Sequence, residues 1–437
     1  MNDRPVLRMR EIAIFFFPLL LNVQLMSVSH SVINAALARQ ADYVNALAAF
    51  ATAMVVHLFV ASPSYQNHTV TIAMVRGRRS LRGVVIFVLL VAIYVSIALW
   101  LIAVTPVGNW LLGTVLGIEP ELIPEIKRVV VFLAFLPFVT GFRGFFQGLV
   151  IRARRTALVS FATGVRIAAL FGYLALGSHY FSGATLGGFG LVACVATETV
   201  LMGFFAWRVH PPLTGSPDEK KTGEILRFAF PLAYSSCLQQ TIPLLIAAII
   251  GRLSDGALAL AAFGVIRGFL FLLAGPMRNL QQAYLTLVEK PTDYRVLVRF
   301  FLWVATGMGV LMLLTAFPFN RLLLGKVMGI ADELRLYITW PLAACAIFPL
   351  LYGAANLLRG FFAGAHRTGL LGRSTMWKSA YLGGAWGFSL LSPLPVSGVV
   401  QAVFLLLSAE LLEAWYLRRQ RLQLFPDALT ISDCSAA

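Results

Sequence analysis

Residues 82–106 read RGVVIFVLLVAIYVSIALWLIAVTP, and no charged side chain follows Arg82 in this run. An α-helix rises about 1.5 Å per residue, so a run of this length crosses the hydrocarbon core of a bilayer, which is about 30 Å thick. Comparable apolar runs recur along the whole chain. The stretch predicts a membrane-spanning helix, and its recurrence predicts an all-α integral membrane protein.

The overall composition supports the same fold class. Of the 437 residues, 59% are hydrophobic and 12% are charged, and the mean hydropathy is +0.81. Soluble domains carry about 25% charged residues. We therefore expect no separate soluble domain, and we expect membrane lipids to be the main surroundings of the chain.

Twelve spans are predicted, and the most polar connection, VHPPLTGSPDEKKT at 209–222, divides them six and six. The spans are 11–38, 43–75, 82–106, 122–151, 156–178, 184–208, 223–251, 256–289, 294–317, 333–364, 368–391 and 396–418. The pattern predicts an N-terminal six-helix lobe over 1–208, a cytoplasmic linker over 209–222, a C-terminal six-helix lobe over 223–420 and a cytoplasmic tail over 421–437.

Basic residues fall mainly on one side of the predicted spans. The net charge of +16 is typical of nucleic-acid binders, but here the 35 Lys and Arg cluster between apolar runs. One side holds 22 of them and the other holds 7. The positive-inside rule therefore predicts that both termini lie in the cytoplasm, and we expect no nucleic-acid partner.

The two halves of the chain resemble each other. An offset of 213 residues aligns the first helices of each half, and an offset of 212 aligns the last ones. The motif RGFF at 143–146 recurs at 359–362, displaced by one helical turn from that register. The paired residues are Pro18 and Pro231, Arg39 and Arg252, Asp42 and Asp255, Pro63 and Pro276, Pro137 and Pro349, Arg166 and Lys378, and Glu198 and Glu410. This pattern predicts an internal duplication whose parallel halves enclose a central cleft.

Charged side chains within the spans are the candidate functional residues. A cation at mid-bilayer costs about 2.5–3.5 kcal/mol on insertion scales, so each one needs a partner or a watery cavity. Arg278 is near a helix end, where its side chain is able to reach the interface. The remaining five are predicted to bind an anion, because such side chains grip carboxylate and phosphate groups. They are Arg143, Arg166, Arg267, Arg359 and Lys378.

The carboxylates within the spans are fewer than the cations. Glu413 is near the cytoplasmic end of its span and is expected to be solvated. Glu198 and Glu410 occupy equivalent places, and two readings stay open for them: pairing with two cations at most, or coupling protonation to transport. The surplus of cations favours an anionic substrate over a cationic drug.

Prolines interrupt six of the predicted spans, where they either shape the helices or act as hinges for alternating access. They are Pro18, Pro63, Pro137, Pro231, Pro276 and Pro349. No nucleotide-binding loop, paired metal ligands or catalytic constellation is readable, and the four cysteines form no CxxC pair. The chain is therefore predicted not to be an enzyme and to carry no metal or cofactor.

Several short stretches resemble the multidrug/oligosaccharidyl-lipid/polysaccharide (MOP) exporter superfamily, which contains the MATE transporters, and within it most nearly the progressive ankylosis (Ank) family. They are FPL at 17–19, LAAF at 47–50, LAFLPF at 133–138, RARR at 152–155, PLA at 231–233, FP at 348–349 and HRT at 366–368. The resemblance implies two six-helix bundles facing each other across a cleft. It also implies export of small anions such as citrate, nucleotide or pyrophosphate.

We therefore expect a secondary active exporter of an anionic solute in the cell (inner) membrane, which works by alternating access with protons or sodium as the coupling ion. One alternative is a flippase of a lipid-linked, pyrophosphate-bearing sugar. Alternatives of other classes are an integral membrane transferase, which needs a metal-binding acidic cluster, and a non-transporting assembly subunit.

The charge asymmetry generates a prediction about topology. In a variant without its native cysteines, a cysteine at Ser182 should react with an impermeant maleimide added to intact cells, and one at Ser216 should react only after permeabilisation. Labelling of the Ser216 variant in intact cells would contradict the twelve-span arrangement with cytoplasmic termini.

Overall fold

The computed structural model describes residues 7–40, 42–116, 118, 120–209, 219–253, 255–327, 330, 332–391 and 396–425. Regular structure in these ranges is helical throughout. The predicted linker at 209–222 falls largely on residues 210–218, and most of the predicted tail falls on 426–437, so both lie largely outside the described residues.

In the described residues of the first half of the chain, nine α-helices form. They are α1 (Met9–Leu37), α2 (Tyr43–Val60), α3 (Asn67–Met74), α4 (Arg78–Val104), α5 (Pro106–Asn109), α6 (Ile123–Leu133), α7 (Leu136–Arg152), α8 (Thr156–Gly177) and α9 (Ala184–Val209). A 3₁₀ turn at Ser62–Gln66 joins α2 to α3, and a π turn at Trp110–Val115 follows α5.

The part of the second half that the structure describes contains eight α-helices. They are α10 (Thr222–Ile250), α11 (Gly256–Leu273), α12 (Leu280–Leu287), α13 (Pro291–Ala316), α14 (Asp332–Ala344), α15 (Phe348–Gly364), α16 (Thr368–Leu391) and α17 (Gly398–Leu424). A 3₁₀ turn at Gly275–Asn279 joins α11 to α12, another at Cys345–Ile347 joins α14 to α15, and a π turn spans Arg321–Val327.

The helices have the lengths that membrane spans need. Within the described residues, nine stretches are long and apolar enough to cross a bilayer, and the bent pairs α2–α3 and α11–α12 raise the number to eleven. The remaining predicted span corresponds to α16, whose 24 residues carry Arg373 and Lys378 and extend over about 36 Å. The predicted all-α membrane fold is confirmed.

Helix lengths repeat between the two halves. α1 and α10 have 29 residues each, α2 and α11 have 18, and α7 and α15 have 17. Arg154 and His366, which are 212 residues apart, both adopt a left-handed backbone, with φ values of 59° and 56°. An L-residue rarely adopts this conformation, so its recurrence in the turn after α7 and after α15 is independent support for the predicted duplication.

The chain divides into two compact units. One, which we call the N unit, is Phe17–Cys237, and the other, the C unit, comprises Leu238–Ala437 together with Met1–Phe16. The divisions therefore run through α1 and α10. The core of the N unit forms where α2, α4, α6, α8 and α9 meet, and that of the C unit where α11, α13, α14 and α17 meet.

The six predicted hinge prolines occupy two kinds of position. Pro18 and Pro231 interrupt the long helices α1 and α10. The other four stand in the first turn of a helix, where proline's missing N–H leaves no hydrogen bond unmade. The 3₁₀ turns with Pro63 and Pro276 mark bends of 61° and 45°. Their role as hinges stays a prediction.

Two equivalent glycines allow close helix packing. A Cβ on Gly148 would lie 2.6 Å from the Thr71 Cβ and 2.9 Å from the His68 carbonyl oxygen. A Cβ on Gly360 would lie 2.7 Å from the Tyr284 Cβ. Glycine is therefore required where α7 crosses α3 and where α15 crosses α12, as is common at membrane helix contacts.

We expect Gly148→Ala and Gly360→Ala each to destabilise the protein by about 1–3 kcal/mol, because the added methyl overpacks these contacts. The matched control is Gly164→Ala in α8, where a Cβ meets nothing within 4 Å. Thermal unfolding in detergent should show lower midpoints for the first two variants alone. A lowered midpoint for the Gly164 variant would contradict this explanation.

Candidate functional site: two buried ion clusters

Three charged side chains meet inside the N unit. Arg143 lies on α7, Arg166 on α8 and Glu198 on α9, and α9 packs against both other helices. The three residues are 8%, 3% and 2% exposed. We call them the N-terminal ion cluster.

Glu198 holds both arginines through one carboxylate oxygen. Its Oε2 accepts hydrogen bonds from Nη1 of Arg143 at 3.1 Å and from Nη1 of Arg166 at 3.0 Å. Its Oε1 accepts a hydrogen bond from the Thr163 hydroxyl at 2.7 Å. Charge-assisted hydrogen bonds of this kind are the strong ones, so Glu198 ties α7 and α8 to α9.

Neutral groups of α1 complete the surroundings of this cluster. Nη2 of Arg166 donates to the Ser29 hydroxyl at 2.7 Å, and the Asn22 side chain lies 2.5 Å from Oγ1 of Thr163. Ser29 is fully buried, and Asn22 is 6% exposed. α1 is therefore joined to the cluster through hydroxyl and amide groups.

Four charged side chains form a second cluster in the C unit. Arg359 lies on α15, Lys378 on α16, and Glu410 and Glu413 on α17. Glu413 accepts from Nε of Arg359 at 2.7 Å through Oε1 and from Nζ of Lys378 at 3.1 Å through Oε2. Lys378 also donates to Glu410. We call these four residues the C-terminal ion cluster.

α10 and α16 add neutral contacts to the C-terminal ion cluster. Nη2 of Arg359 donates to the Thr375 hydroxyl at 3.2 Å. The amide of Gln239 on α10, with its oxygen turned toward the guanidinium, accepts from Nη1 of Arg359 at 2.6 Å. The two cations and two carboxylates of this cluster balance in charge, whereas the N-terminal ion cluster has one positive charge in excess.

A shift of one helical turn relates the two clusters. At an offset of 212, Arg166 and Glu198 correspond to Lys378 and Glu410. Arg359 lies four residues beyond the counterpart of Arg143, and Glu413 lies three residues beyond Glu410. Three to four residues make about one turn, so the arginine and its carboxylate are each displaced by about one turn on neighbouring helices.

The structure corrects two expectations about charge pairing. Glu413 was expected to be solvated, but it is 1% exposed, because α17 packs against α15 and α16. Pairing was expected to absorb two cations at most, but Glu198 holds two and the carboxylates of α17 hold two more. The missed signal was the spacing of Glu410 and Glu413, which places both on one helix face.

Arg267 is placed differently from the other four predicted anion-binding cations. Its side chain lies on the exposed face of α11 together with Gly264 and Gly268. Its guanidinium carbon is 5.9 Å from the ring centroid of Phe263. Arg278 is also exposed. The structure brings Arg267 to neither cluster, and a role for it in binding an anion stays a prediction.

Potential metal ligands are scattered over the described part of the chain, where no group of three or more His, Cys, Asp or Glu side chains could hold a metal ion. Cys194 and Cys345 are buried and Cys237 is half-buried, each as a free thiol. Among the described residues, the charged groups that come together inside the two units therefore form ion pairs.

The pairing pattern predicts a ranking of three glutamate variants. Removing one partner of a buried ion pair costs about 3–5 kcal/mol, so we expect Glu198→Gln and Glu413→Gln to be strongly destabilising. Glu410→Gln should cost less, because Lys378 keeps Glu413. Thermal unfolding in detergent measures the ranking, with the exposed Glu121→Gln as control. Equal losses for the variants at Glu410 and Glu413 would contradict the pattern.

Comparison with known families gives one sequence match. Residues 231–375 match the MatE family model. No curated protein matches the chain. The matched region runs from Pro231 in α10 to Thr375 in α16 and includes Arg359 of the C-terminal ion cluster.

Solved transporter structures resemble nearly the whole chain. A eukaryotic MATE transporter aligns with a TM-score of 0.71 at 13% identity, over 98% of this chain and 97% of its own. A MOP superfamily transporter from Pyrococcus furiosus, described as having a binding pocket of reverse polarity, aligns with a TM-score of 0.69 at 13% identity, over 98% and 96%. An outward-facing multidrug resistance MATE transporter aligns with a TM-score of 0.70 at 13% identity, over 98% and 97%.

The expected resemblance to this superfamily is confirmed, and the closer resemblance to the Ank family stays a prediction. Over residues 231–375 the chain is similar in sequence to the MatE family, and over nearly its whole length it has the fold of the MATE-like transporters of the MOP superfamily.

Proposed function

We propose that the chain is a secondary active exporter of an anionic solute that works by alternating access. The observation that carries the proposal is the pair of buried ion clusters inside spanning helices, one of which has a surplus positive charge. The MatE match and the fold support transport as the activity. We also propose an inner-membrane location with both termini in the cytoplasm, on the basis of the charge asymmetry between the connections.

An anionic substrate follows from the sign of the buried charge. Arg143 and Arg166 bring two positive charges to the N-terminal ion cluster, and Glu198 brings one negative charge. A positive potential inside a region of low dielectric constant attracts anions and repels cations. Guanidinium groups bind carboxylate and phosphate oxygens with directed hydrogen bonds. Citrate, nucleotides and pyrophosphate-like solutes carry these oxygens.

Coupling is proposed to involve Glu198 and Glu410. An anion that occupies a guanidinium competes with the carboxylate already bound to it, and a buried carboxylate that loses its cation tends to take up a proton. Anion release would restore the ion pair and expel that proton. The same residues also serve as structural bridges, so the pH dependence of transport has to separate the two roles.

Transport by purified protein in liposomes tests the substrate class. Labelled citrate, a nucleotide and pyrophosphate should each be tried with and without an imposed pH gradient. We expect at least one to be transported, and we expect Arg166→Gln and Lys378→Gln to lower its rate about ten-fold or more while the protein stays folded. Arg39→Gln, which alters an exposed connection between spans, is the matched control.

Three outcomes would contradict parts of the proposal. Full activity of a folded Arg166→Gln, Lys378→Gln double variant would show that transport needs neither of these cations. Transfer of a lipid-linked pyrophosphate sugar without transport of any soluble anion would show a flippase. A pH-gradient response that survives Glu198→Gln together with Glu410→Gln would exclude proton coupling through this pair.

A further inference from the structure

The two ion clusters have the same helical scaffold but different net charge. α7, α8 and α9 carry two arginines and one carboxylate, whereas α15, α16 and α17 carry two cations and two carboxylates. Among the described residues, Glu198 is the one carboxylate at ion-pair distance from Arg143 or Arg166. The groups that α1 and α8 add to that cluster, Ser29, Asn22 and Thr163, are neutral.

The N-terminal ion cluster also contains buried hydrogen-bond donors that lack an acceptor among the described residues. Nε of Arg143 and Nε of Arg166 are buried and have no acceptor among the described residues. Both side chains are buried. In the C-terminal ion cluster the corresponding donor, Nε of Arg359, is bonded to Glu413. A buried charged donor without an acceptor is costly, so the surplus charge and the free donors both call for a negatively charged acceptor.

We propose that the N-terminal ion cluster binds one negative charge of the transported anion, a phosphate or carboxylate oxygen, between Arg143 and Arg166. The C-terminal ion cluster, which is already neutral and bonded, is a structural clamp. This inference rests on the proposed function and narrows it, because it assigns binding to one cluster and one elementary charge to that site. Before the anion binds, Glu198 orients the two guanidinium groups.

Thermal unfolding of the purified protein in detergent measures this site apart from transport. Inorganic phosphate is the probe, titrated at constant ionic strength against MES–Tris. We expect a saturable rise of a few degrees in the unfolding midpoint of the parent protein, because a ligand that binds only the folded state stabilises it. Absence of a rise both with phosphate and with phosphatidylglycerol would overturn the proposal.

Two variants at Asn22 separate charge from hydrogen bonding. Asn22→Asp has nearly the same shape but adds a negative charge beside the cluster, so the phosphate-induced rise should disappear. Asn22→Leu removes the amide without adding charge and should keep the rise. The matched control in the C unit is Gln239→Glu, which adds a carboxylate against Arg359 and should also keep it. Loss of the rise in Gln239→Glu with retention in Asn22→Asp would overturn the assignment.

Arg143→Gln keeps the proposal testable if Asn22→Asp fails to fold. It brings the N-terminal ion cluster to neutrality, since Arg166 and Glu198 remain as a pair, so the rise with phosphate should again be lost. Arg143→Gln that retains the parent's rise would place the anion elsewhere.

Two further arms identify the source of the charge and separate this proposal from the exporter itself. A rise in the unfolding midpoint with phosphate assigns a soluble anion to the site. A rise with phosphatidylglycerol alone, and not with phosphate or phosphatidylcholine, assigns a lipid headgroup. Either result supports the site. Anion transport by the parent combined with an unchanged rise in Asn22→Asp overturns the site and leaves the exporter. A rise lost in Asn22→Asp without transport of any anion supports the site and overturns the exporter.

Discussion

A charge inside a membrane-spanning helix has to be compensated by its immediate neighbours, because lipid supplies no water to solvate it. The N unit meets this constraint at Glu198, one carboxylate that accepts hydrogen bonds from Arg143, Arg166 and Thr163. Apolar packing between spanning helices is hardly better than packing against lipid tails. The ion pairs therefore add a directed constraint that fixes α7, α8 and α9 in one register.

The C unit shows the same requirement that a buried charge be compensated by a neighbouring group. Its arginine lies one turn away from the place that the repeat predicts, and a second carboxylate lies one turn away on α17 to receive it. A shifted cation without a shifted acceptor would be an uncompensated buried charge. The C-terminal ion cluster is therefore neutral, whereas the N-terminal ion cluster has a surplus cation, so equivalent scaffolds hold different net charge.

The sequence predicted the features that depend on local pattern. The lengths of the apolar runs predicted the spans, and the constant offsets between prolines and charged residues predicted the duplication. Both features depend only on the order of residues along the chain. The pairing did not follow from the sequence, since the burial of Glu413 depends on how α17 packs against α15 and α16. The sharing of Glu198 by two arginines depends on three helices meeting at one depth, which no spacing within one helix reveals.

The first helix of each repeat is joined to its ion cluster less firmly than the other helices are. Ser29 and Asn22 connect α1 to the N-terminal ion cluster, and Gln239 connects α10 to the C-terminal ion cluster, in each case without a carboxylate. In the bonds from Arg166 to Ser29 and from Arg359 to Gln239 only the guanidinium is charged, whereas the bonds to the glutamates also join opposite charges and are the stronger ones. An anion held between Arg143 and Arg166 would therefore disturb the contacts of α1 before those of Glu198. Pro18 also deprives α1 of one backbone hydrogen bond, and α1 meets this cluster through the neutral Ser29 and Asn22.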